Sequence, residues 1–569
     1  MPTLHWIGKD KVQNHHLDVP LHILENKYRF PDKISETDGA TVTLVQGDNL
    51  LALKALIPKY EGKVKCIYID PPYNTGNKGW VYNDAVNDPK IKRWLGQVVG
   101  KEAEDLSRYD KWLCMMYPKF KLLHKLLAED GVIFVSIDEN EQAQLKLVMD
   151  EIFGRNKLVS QFIWKSRVSE DARAKTGVSN DHEHILTYFK SEITPLMGMA
   201  KDLSKFSNPD NDIGGSWRST DLTGLASITQ RPNLHFPILD PESGLEFPPP
   251  SKGRRFERKT MDRKIEERRI LFTQSIEGRP RQKVFVDEMA STNKSISSVI
   301  LETNTGQGTK LINEIFGSSE FDFPKPVNLV ELLINQVANQ DSIILDSFAG
   351  SGATAHAVLN LNKKDGGNRK CLLVEMEDYA ERITAERVKR VIAGYGTSPI
   401  LPEEAFPNLP EQAPPNLPEG EALTAARSPD KKPGRWVEGT GGSFQFSTLG
   451  PRLFHEDGNL NEVVPLEEIR NYVWWSETRL SLLKVEGSET CSPSGRAGGE
   501  AFLGVHQETD YYFYYEKERV TTLDEAFLSQ IGHKANQYVV YADELVLSQN
   551  RLRQLGITFK KIPEDIQLM

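Results

Sequence analysis

The segment Asp70-Pro71-Pro72-Tyr73 contains residue types that can hold the amino group of a base. It follows the apolar run 64–69, which predicts a buried strand, and open α/β sheets bind ligands at the carboxyl ends of their strands. The two prolines make the loop rigid, so a carboxylate and a neighbouring carbonyl can accept both hydrogens of one amine. The ring of Tyr73 offers a surface on which a base can stack. An ordinary strand-ending turn explains Asp-Pro-Pro alone about equally well.

A second candidate loop, residues 346–354, follows the apolar run 343–345 and opens a predicted helix. Its glycines, Gly350 and Gly352, permit a left-handed backbone and a close approach to a ligand. The loop has no Gly-Lys-Ser/Thr, so it differs from a phosphate-binding loop. The next predicted strand ends at Glu375, where a carboxylate is placed to bind the hydroxyls of a ribose. A Gly-rich turn by itself indicates little, but this context favours a nucleoside cofactor.

Together the two loops resemble those of the DNA amino-methyltransferases, which use S-adenosylmethionine. In that family an Asp-Pro-Pro-Tyr tetrapeptide holds the flipped base, and a Phe-x-Gly-x-Gly loop holds the cofactor. Asp346 follows Asp70 by 276 residues, so the catalytic loop precedes the cofactor loop. This order is similar to that of the permuted beta class, in which a target-recognition region separates the two loops.

The resemblance implies a role for each matching residue. The target base leaves the helical stack, Tyr73 stacks on it, and Asp70 and the Pro71 carbonyl accept hydrogen bonds from its amine. Catalysis is then mainly positioning and polarisation. The implied catalytic residues are Asp70, Pro71, Pro72 and Tyr73. The implied cofactor-binding residues are Asp48, Lys325, Asp346, Phe348, Gly350, Gly352, Thr354 and Glu375, and no metal is implied.

The same comparison indicates which base is modified. Asp at position 70 favours adenine in double-stranded DNA, whereas Ser in that place is commoner among cytosine amino-methyltransferases. Methylation of cytosine carbon 5 needs a nucleophilic Cys, usually after Pro, and no Cys here follows Pro. Two alternatives to adenine methylation stay open. One is methylation of the cytosine amine, and the other is a non-catalytic scaffold that reads DNA for a nuclease partner.

Strands alternate with helices over much of the first 400 residues, which predicts βαβ units and a mostly parallel sheet. One of these predicted helices begins near Asn49 and stops at Pro58. The predicted fold is α/β: a Rossmann-like S-adenosylmethionine-dependent methyltransferase core with an inserted target-recognition domain and a separate C-terminal α+β domain. The predicted parts are an N-terminal extension (1–40), the catalytic half of the core (41–190), the insertion (191–321), the cofactor-binding half (322–395), a Pro-rich linker (396–442) and a C-terminal assembly domain (443–569).

The insertion contains a run of basic residues that is the candidate DNA contact. Arg254, Arg255, Arg258 and Lys259 can bind phosphates and base edges. Acidic residues are interleaved in this run, a pattern that is also typical of a solvated helix face. We favour DNA contact because the insertion occupies the target-recognition position of the beta class.

The distal region resembles the C-terminal part of modification subunits of type III restriction–modification systems. The resemblance rests on the aromatic run 511–516 and on the segment 557–563. It implies three partners: double-stranded DNA, a second copy of the chain in a homodimer, and a restriction subunit with helicase and nuclease functions. The chain itself carries no Walker-type ATPase motif and no recognisable nuclease motif.

Length and composition are those of a globular protein with several domains. The chain has 569 residues, of which 39% are hydrophobic and 26% charged, and its net charge is −10. This charge excludes a uniformly basic coat protein, but a local basic patch can still bind DNA. The four cysteines form no Cys-x-x-Cys pair, no apolar stretch approaches about 20 residues, and no signal-peptide pattern opens the chain. We therefore expect a cytoplasmic protein with no membrane partner.

Overall fold

The computed structural model describes residues 4–32, 39–75, 93, 107–172, 174–191, 194–289, 293–396, 436–480, 482, 501–531 and 535–567. The chain forms two compact units, one of residues 1–195 with 297–569 and the other of residues 196–296. Most of the predicted Pro-rich linker, residues 397–435, lies outside the described residues.

The larger unit is built on a ten-stranded mixed sheet. Its strands are β1 (His22–Phe30), β2 (Val42–Gln46), β3 (Val64–Ile69), β4 (Leu127–Ile137), β5 (Leu158–Trp164), β6 (Glu183–Phe189), β7 (Val299–Ile300), β8 (Ile343–Asp346), β9 (Lys370–Glu375) and β10 (Phe444–Arg452). They lie in the order β1-β10-β2-β9-β8-β3-β4-β6-β5-β7. Neighbouring strands are parallel except for β1 with β10, β4 with β6, and β6 with β5. The predicted α/β class is confirmed.

The central strands are apolar and buried, as expected for parallel strands that helices cover. Ile67 of β3 and Leu345 of β8 share a core with helix residues such as Leu53 and Leu123. The helices of this unit are Lys9–Val12, His15–Asp18, Asn49–Tyr60, Arg108–Leu126, Gln142–Met149, Thr305–Phe316, Val327–Ile334, Ala353–Asp365, Glu386–Ala393, Leu466–Thr478, Glu525–Leu528 and Gln549–Leu555.

The helix after β2 is longer than the sequence predicts. It was expected to stop at Pro58, but it spans Asn49–Tyr60 with Pro58 inside it. Proline lacks only its own amide donor, and here it lies in the last turn, so few helical hydrogen bonds are affected. The packing of Leu56 and Ile57 in the core then holds this turn in place.

Strand β10 contradicts the domain boundary predicted at residue 443. It pairs in parallel with β2 and in antiparallel register with β1, so it lies within the central sheet. Strand β1, which comes from the predicted N-terminal extension, is part of the same sheet. The helix Leu466–Thr478 adds Val473 and Trp475 to the main core. A Pro-rich composition shows where a chain leaves a packed element, but it does not show where the chain returns.

The distal part of the larger unit also has a sheet of its own. A strand at Phe502–His506 is antiparallel to its neighbour, and the following pairs are parallel. Tyr512, Phe527 and Val540 form a core that is distinct from the main one. The other strands of this sheet are Thr509–Phe513, Gln537–Ala542 and Ile557–Lys561. The two-residue strand pairs of the larger unit are Gly394–Tyr395 with Val437–Glu438 and Thr522–Leu523 with Glu544–Leu545.

The smaller unit, residues 196–296, lies inside the predicted insertion and is shorter than it. Trp217–Asp221, Ile270–Leu271 and Arg281–Phe285 form a three-stranded antiparallel sheet. The helix Arg258–Glu266 packs Met261 into a small core with Phe236 and Phe247. The remaining strands are the pairs Met199–Ala200 with Asn293–Lys294 and Ile238–Leu239 with Glu246–Phe247.

We predict that Phe446→Ala destabilises the catalytic core. Phe446 is buried in β10, and its ring stacks on Tyr28 of β1 with centroids 5.2 Å apart. Removing a buried phenylalanine costs about 3–5 kcal/mol of unfolding free energy. Val463→Ala is the control, because Val463 is 77% exposed. Denaturant unfolding should show one weakened transition that includes the core. A Phe446→Ala protein in which only a separate second transition moves would contradict the position of β10.

Candidate active site

The loop after β3 and the loop after β8 meet at one edge of the sheet. The two strands are parallel neighbours, with Ile67 opposite Leu345, so their carboxyl ends point to the same side. A cavity of about 110 Å³, open to solvent, lies there. Its lining includes the four predicted catalytic residues, Asp70, Pro71, Pro72 and Tyr73, and five of the predicted cofactor residues, Lys325, Asp346, Phe348, Gly350 and Thr354.

The loop after β3 is held by side chains from other elements. The indole nitrogen of Trp112, on the helix Arg108–Leu126, donates to the Pro72 carbonyl at 2.7 Å. Asn74 adopts a left-handed φ of 60°, and its amide donates to Glu141 Oε1 at 2.5 Å. Asparagine tolerates this conformation better than most residues. These contacts hold the backbone on both sides of Tyr73.

Four polar side chains form a cluster at this end of the cavity. The Tyr73 hydroxyl lies 2.8 Å from Asp70 Oδ1 and 2.8 Å from Glu183 Oε2. Lys325 Nζ donates to that hydroxyl oxygen at 2.7 Å and lies 3.0 Å from each carboxylate. Lys325 was predicted to bind the cofactor, and the structure places its ammonium against Asp70 and Tyr73 of the loop after β3.

Burial raises the pKa of Asp70, and the negative charge of Glu183 raises it further. The Lys325 ammonium and the hydrogen bond from Tyr73 oppose this rise. Burial by itself lowers the pKa of Lys325, but Asp70 and Glu183 outweigh it, so the net shift is upward and the ammonium stays charged. Lys325 and Tyr73 thus offset part of the effect that burial has on the pKa of Asp70.

The loop after β8 presents a second buried carboxylate. Asp346 accepts hydrogen bonds from the Phe348 amide at 3.0 Å and from the Thr354 hydroxyl at 2.5 Å. Burial raises its pKa to about 7, although these hydrogen bonds oppose the shift. Two of the predicted cofactor residues thus act on a third, because Phe348 and Thr354 both stabilise the Asp346 carboxylate.

Glu375 and Asp48 lie at the ends of the next two strands, β9 and β2, and both carboxylates accept backbone hydrogen bonds. Glu375 Oε2 accepts from the Gly350 amide at 2.8 Å, and burial raises its pKa to about 7. Asp48 Oδ1 accepts from the amides of Leu50 and Leu51, so Asp48 caps the helix that follows β2. The structure brings both residues to the expected edge, but neither is part of the cavity lining described above.

Side chains that do not line the cavity hold the glycine-rich turn in place. Gly350 and Gly352 have φ values of 51° and 83°, which glycine adopts without strain. A Cβ on Gly352 would lie 3.3 Å from Thr384 Cγ2, and the Thr384 hydroxyl donates to the Gly350 carbonyl at 2.6 Å. Arg387, which is fully buried, donates to the Ser351 hydroxyl at 2.7 Å. These contacts hold the turn in this conformation.

Comparison with known families identifies this architecture. A family model described as DNA methylase matches residues 64–386, which is more than half of the chain. The chain belongs to the DNA methylase family. The matched segment contains both loops of the cavity and the whole of the smaller unit.

Three relatives show which proteins this methylase is similar to in sequence. It is 29% identical to the type III restriction-modification enzyme EcoP15I Mod subunit of Escherichia coli, over 69% of this chain and 67% of that protein. It is 32% identical to the StyLTI Mod subunit of Salmonella typhimurium, over 64% of this chain and 56% of that protein. It is 33% identical to the type II methyltransferase M.KpnI of Klebsiella pneumoniae, over 60% of this chain and 82% of that protein. The matched region thus spans about half to two thirds of the two Mod subunits.

Sequence reasoning missed Glu183 and Trp112 as parts of the methylase site. Glu183 lies between His182 and His184 in the sequence, and it begins β6 at the edge where the cavity lies. Glu183 could have been found from its position in the sequence. It is a carboxylate at the start of a strand that runs antiparallel to β4, and the start of such a strand lies beside the carboxyl ends of the parallel strands. Trp112 carries no such signal, since it lies within an ordinary buried helix.

The position of Arg254 contradicts its predicted role as a DNA contact. Its side chain is 2% exposed, and its guanidinium donates to the carbonyls of Phe236, Phe247 and Pro248. It is a structural residue, because a buried guanidinium satisfied by carbonyls cannot reach a phosphate. Arg255, Arg258 and Lys259 are exposed, as a DNA contact requires.

Within the part of the chain that the structure describes, no group of three or more His, Cys, Asp or Glu residues is placed to hold a metal ion. None of the helices described above is both long enough and apolar enough to cross a membrane.

We predict that Arg254→Met destabilises the smaller unit of the methylase by about 2 kcal/mol or more, because three carbonyls lose a buried charged donor. Arg258→Met is the control. Its side chain is 61% exposed and pairs with Asp262 at 3.4 Å, a surface ion pair worth about 0–1 kcal/mol. Limited proteolysis within residues 196–296 measures the difference. Equal protection of the two variants would show that the Arg254 contacts are dispensable.

Proposed function

We propose that this methylase transfers a methyl group from S-adenosylmethionine to the exocyclic amine of adenine in double-stranded DNA. The observation that carries the proposal is the shared cavity, in which the loop Asp70 to Tyr73 faces the glycine-rich loop after β8. A base-binding loop and a nucleoside-binding loop on one cavity are what direct transfer between the two ligands requires. Membership of the DNA methylase family supports the substrate class.

Asp70, Pro71 and Tyr73 would hold the target base. A base inside a duplex cannot reach this cavity, so it must leave the stack. Tyr73 would stack against the ring, and Asp70 with the Pro71 carbonyl would accept hydrogen bonds from the amine, which directs the nitrogen lone pair at the methyl group. These acceptors also stabilise the positive charge that develops on the nitrogen.

The loop after β8 fits the proposed cofactor. S-adenosylmethionine supplies an activated methyl group on a sulfonium when it is bound. Gly350 lines the cavity without a side chain, so the backbone can approach a ligand closely. Asp346 offers a carboxylate at the cavity wall, and Glu375 offers one at the end of the next strand. These residues would hold the nucleoside and amino-acid parts of the cofactor, with Phe348, Gly352, Thr354 and Asp48 supporting them.

The choice of adenine rests on the residue type at position 70. An aspartate in that place is typical of adenine amino-methyltransferases of the family that the two loops resemble. Cytosine amine methylation would use the same cavity and the same geometry, so it is an outcome that the experiment below separates.

Residues 196–296 would recognise the DNA sequence. The unit lies in the chain between the two loops of the cavity, which is the position of target recognition in the beta class. Arg255, Arg258 and Lys259 are its exposed basic residues that we assign to DNA contact. Arg254 is no longer part of this assignment.

We further propose that the chain is the modification subunit of a type III restriction–modification system. Two of its relatives are named as Mod subunits of such enzymes, and the matches extend beyond the family model. This proposal implies two protein partners, which are a second copy of this chain and a restriction subunit. The described residues of the distal sheet have a core of their own, and we assign assembly to this part of the chain.

We predict that Asp70→Ala lowers methyl transfer by at least about a hundredfold, because the amine loses its charged acceptor. DNA affinity should change little, since phosphate contacts elsewhere dominate it. The measurement is transfer of labelled methyl groups to DNA, together with an electrophoretic shift assay. Turnover equal to the wild type would remove Asp70 from the mechanism. Methylation-sensitive sequencing of DNA from cells that express the wild-type chain alone identifies the base, and modified cytosine in place of adenine would correct the assignment.

We predict that Gly350→Val weakens S-adenosylmethionine binding at least about tenfold, which corresponds to about 1.4 kcal/mol. The side chain would enter the cavity and strain a backbone that has φ 51°. Gly366→Val is the matched control. Gly366 has φ 70°, so it suffers the same strain, but it ends the helix Ala353–Asp365 in open space. Calorimetric titration with the cofactor compares them, and equal affinities would place the cofactor elsewhere.

A further inference from the structure

The cluster beside Asp70 contains one ammonium and two carboxylates. Lys325 Nζ lies 3.0 Å from Asp70 Oδ1 and 3.0 Å from Glu183 Oε2. The side chains of Lys325 and Glu183 are only 10% and 15% exposed, so their charges interact through a poorly screened medium. An ammonium at equal distances from two carboxylates divides its stabilisation between them.

Glu183 reaches this cluster from a part of the sheet that carries neither loop. It is the first residue of β6, the strand that runs antiparallel to β4 and β5. Its Oε2 atom lies 2.8 Å from the Tyr73 hydroxyl, which lies equally close to Asp70 Oδ1. A hydroxyl has a single hydrogen, so Tyr73 donates to one of these carboxylates at a time. Glu183 therefore competes with Asp70 for both of its donors.

We propose that Glu183 is a positioning residue of the base pocket. It holds Lys325 and the Tyr73 hydroxyl in place, and it sets how much of the Lys325 charge is available to stabilise the ionised form of Asp70. This inference rests on the proposed function, because it concerns how the carboxylate that receives the amine is held.

The proposal predicts the direction in which each neighbouring charge moves the pKa of Asp70. The titratable groups that face Asp70 are Lys325, Glu183, Tyr73, Tyr68 and Asp346. Glu183 raises the pKa of Asp70, and Lys325 lowers it. Removing the charge of Glu183 should therefore ease ionisation of Asp70, and removing the charge of Lys325 should hinder it. A purely structural role for both residues predicts no such opposition.

The experiment is the pH dependence of kcat for methyl transfer to DNA, with full-length protein and saturating S-adenosylmethionine. Under saturation the acid limb reports groups of the bound complex. Glu183→Gln keeps the shape of the side chain and should move the acid limb to lower pH. Lys325→Met should move it to higher pH. Each shift should be about one unit or more, as is usual for a charge this close.

Two variants control the measurement. Glu139→Gln removes a carboxylate that is exposed and that accepts a hydrogen bond from Asn180, so its acid limb should match the wild type. Glu183→Asp keeps the negative charge in a shorter side chain, so its acid limb should stay near that of the wild type even where kcat falls. Circular dichroism spectra establish that each variant is folded.

The sign of the Glu183→Gln shift decides the proposal, even where Lys325→Met loses all activity. An acid limb that stays in place, or that moves to higher pH, would overturn it. An active wild type is the condition that separates this inference from the proposed function. A wild-type chain that transfers no methyl groups to DNA would overturn both, whereas an active wild type with an unmoved Glu183→Gln limb would overturn this inference alone.

Discussion

The hydrogen bonds between β3 and β8 join two loops that are 276 residues apart in the chain. Because the strands are parallel, both loops leave the sheet at the same edge, and the cavity forms where they diverge. Antiparallel pairing would place the two loops at opposite edges. The rest of the site depends on this one contact, since the loop after β3 and the glycine-rich loop after β8 come from different halves of the core.

The cavity concentrates charge where water is scarce. Two partly buried carboxylates, Asp70 and Glu183, lie 3.0 Å from the Lys325 ammonium, and a third, the buried Asp346, lines the same cavity. Isolated buried charges are strongly unfavourable, so the fold compensates them with paired charges and backbone hydrogen bonds. Asp346 is served by the Phe348 amide and Thr354, and Asp70 by Lys325 and Tyr73. The result is a set of acceptors whose orientation is held by the protein's own contacts, which is the condition for efficient electrostatic catalysis.

The rigidity of both loops comes from residues that do not line the cavity. Trp112 holds the Pro72 carbonyl, and Glu141 holds the left-handed Asn74. Thr384 and Arg387, which come later in the chain, donate hydrogen bonds to the Gly350 carbonyl and the Ser351 hydroxyl. Each contact satisfies a polar group that would otherwise be buried without a partner. The supporting residues are therefore part of the site, although none of them carries a recognisable motif.

The sequence alone was sufficient for the local features of this protein. The apolar runs before Asp70 and Asp346 predicted strands, and the residues after them predicted the chemistry, because strand formation and loop composition depend on neighbours in sequence. The sequence did not predict the contacts between segments that are distant in the chain. The pairing of Glu183 with Lys325, the burial of Arg254 and the insertion of β10 between β1 and β2 depend on which surfaces meet in space. Periodicity and composition describe one segment at a time, so they report that a residue is charged or that a strand is apolar, but they do not report its partner.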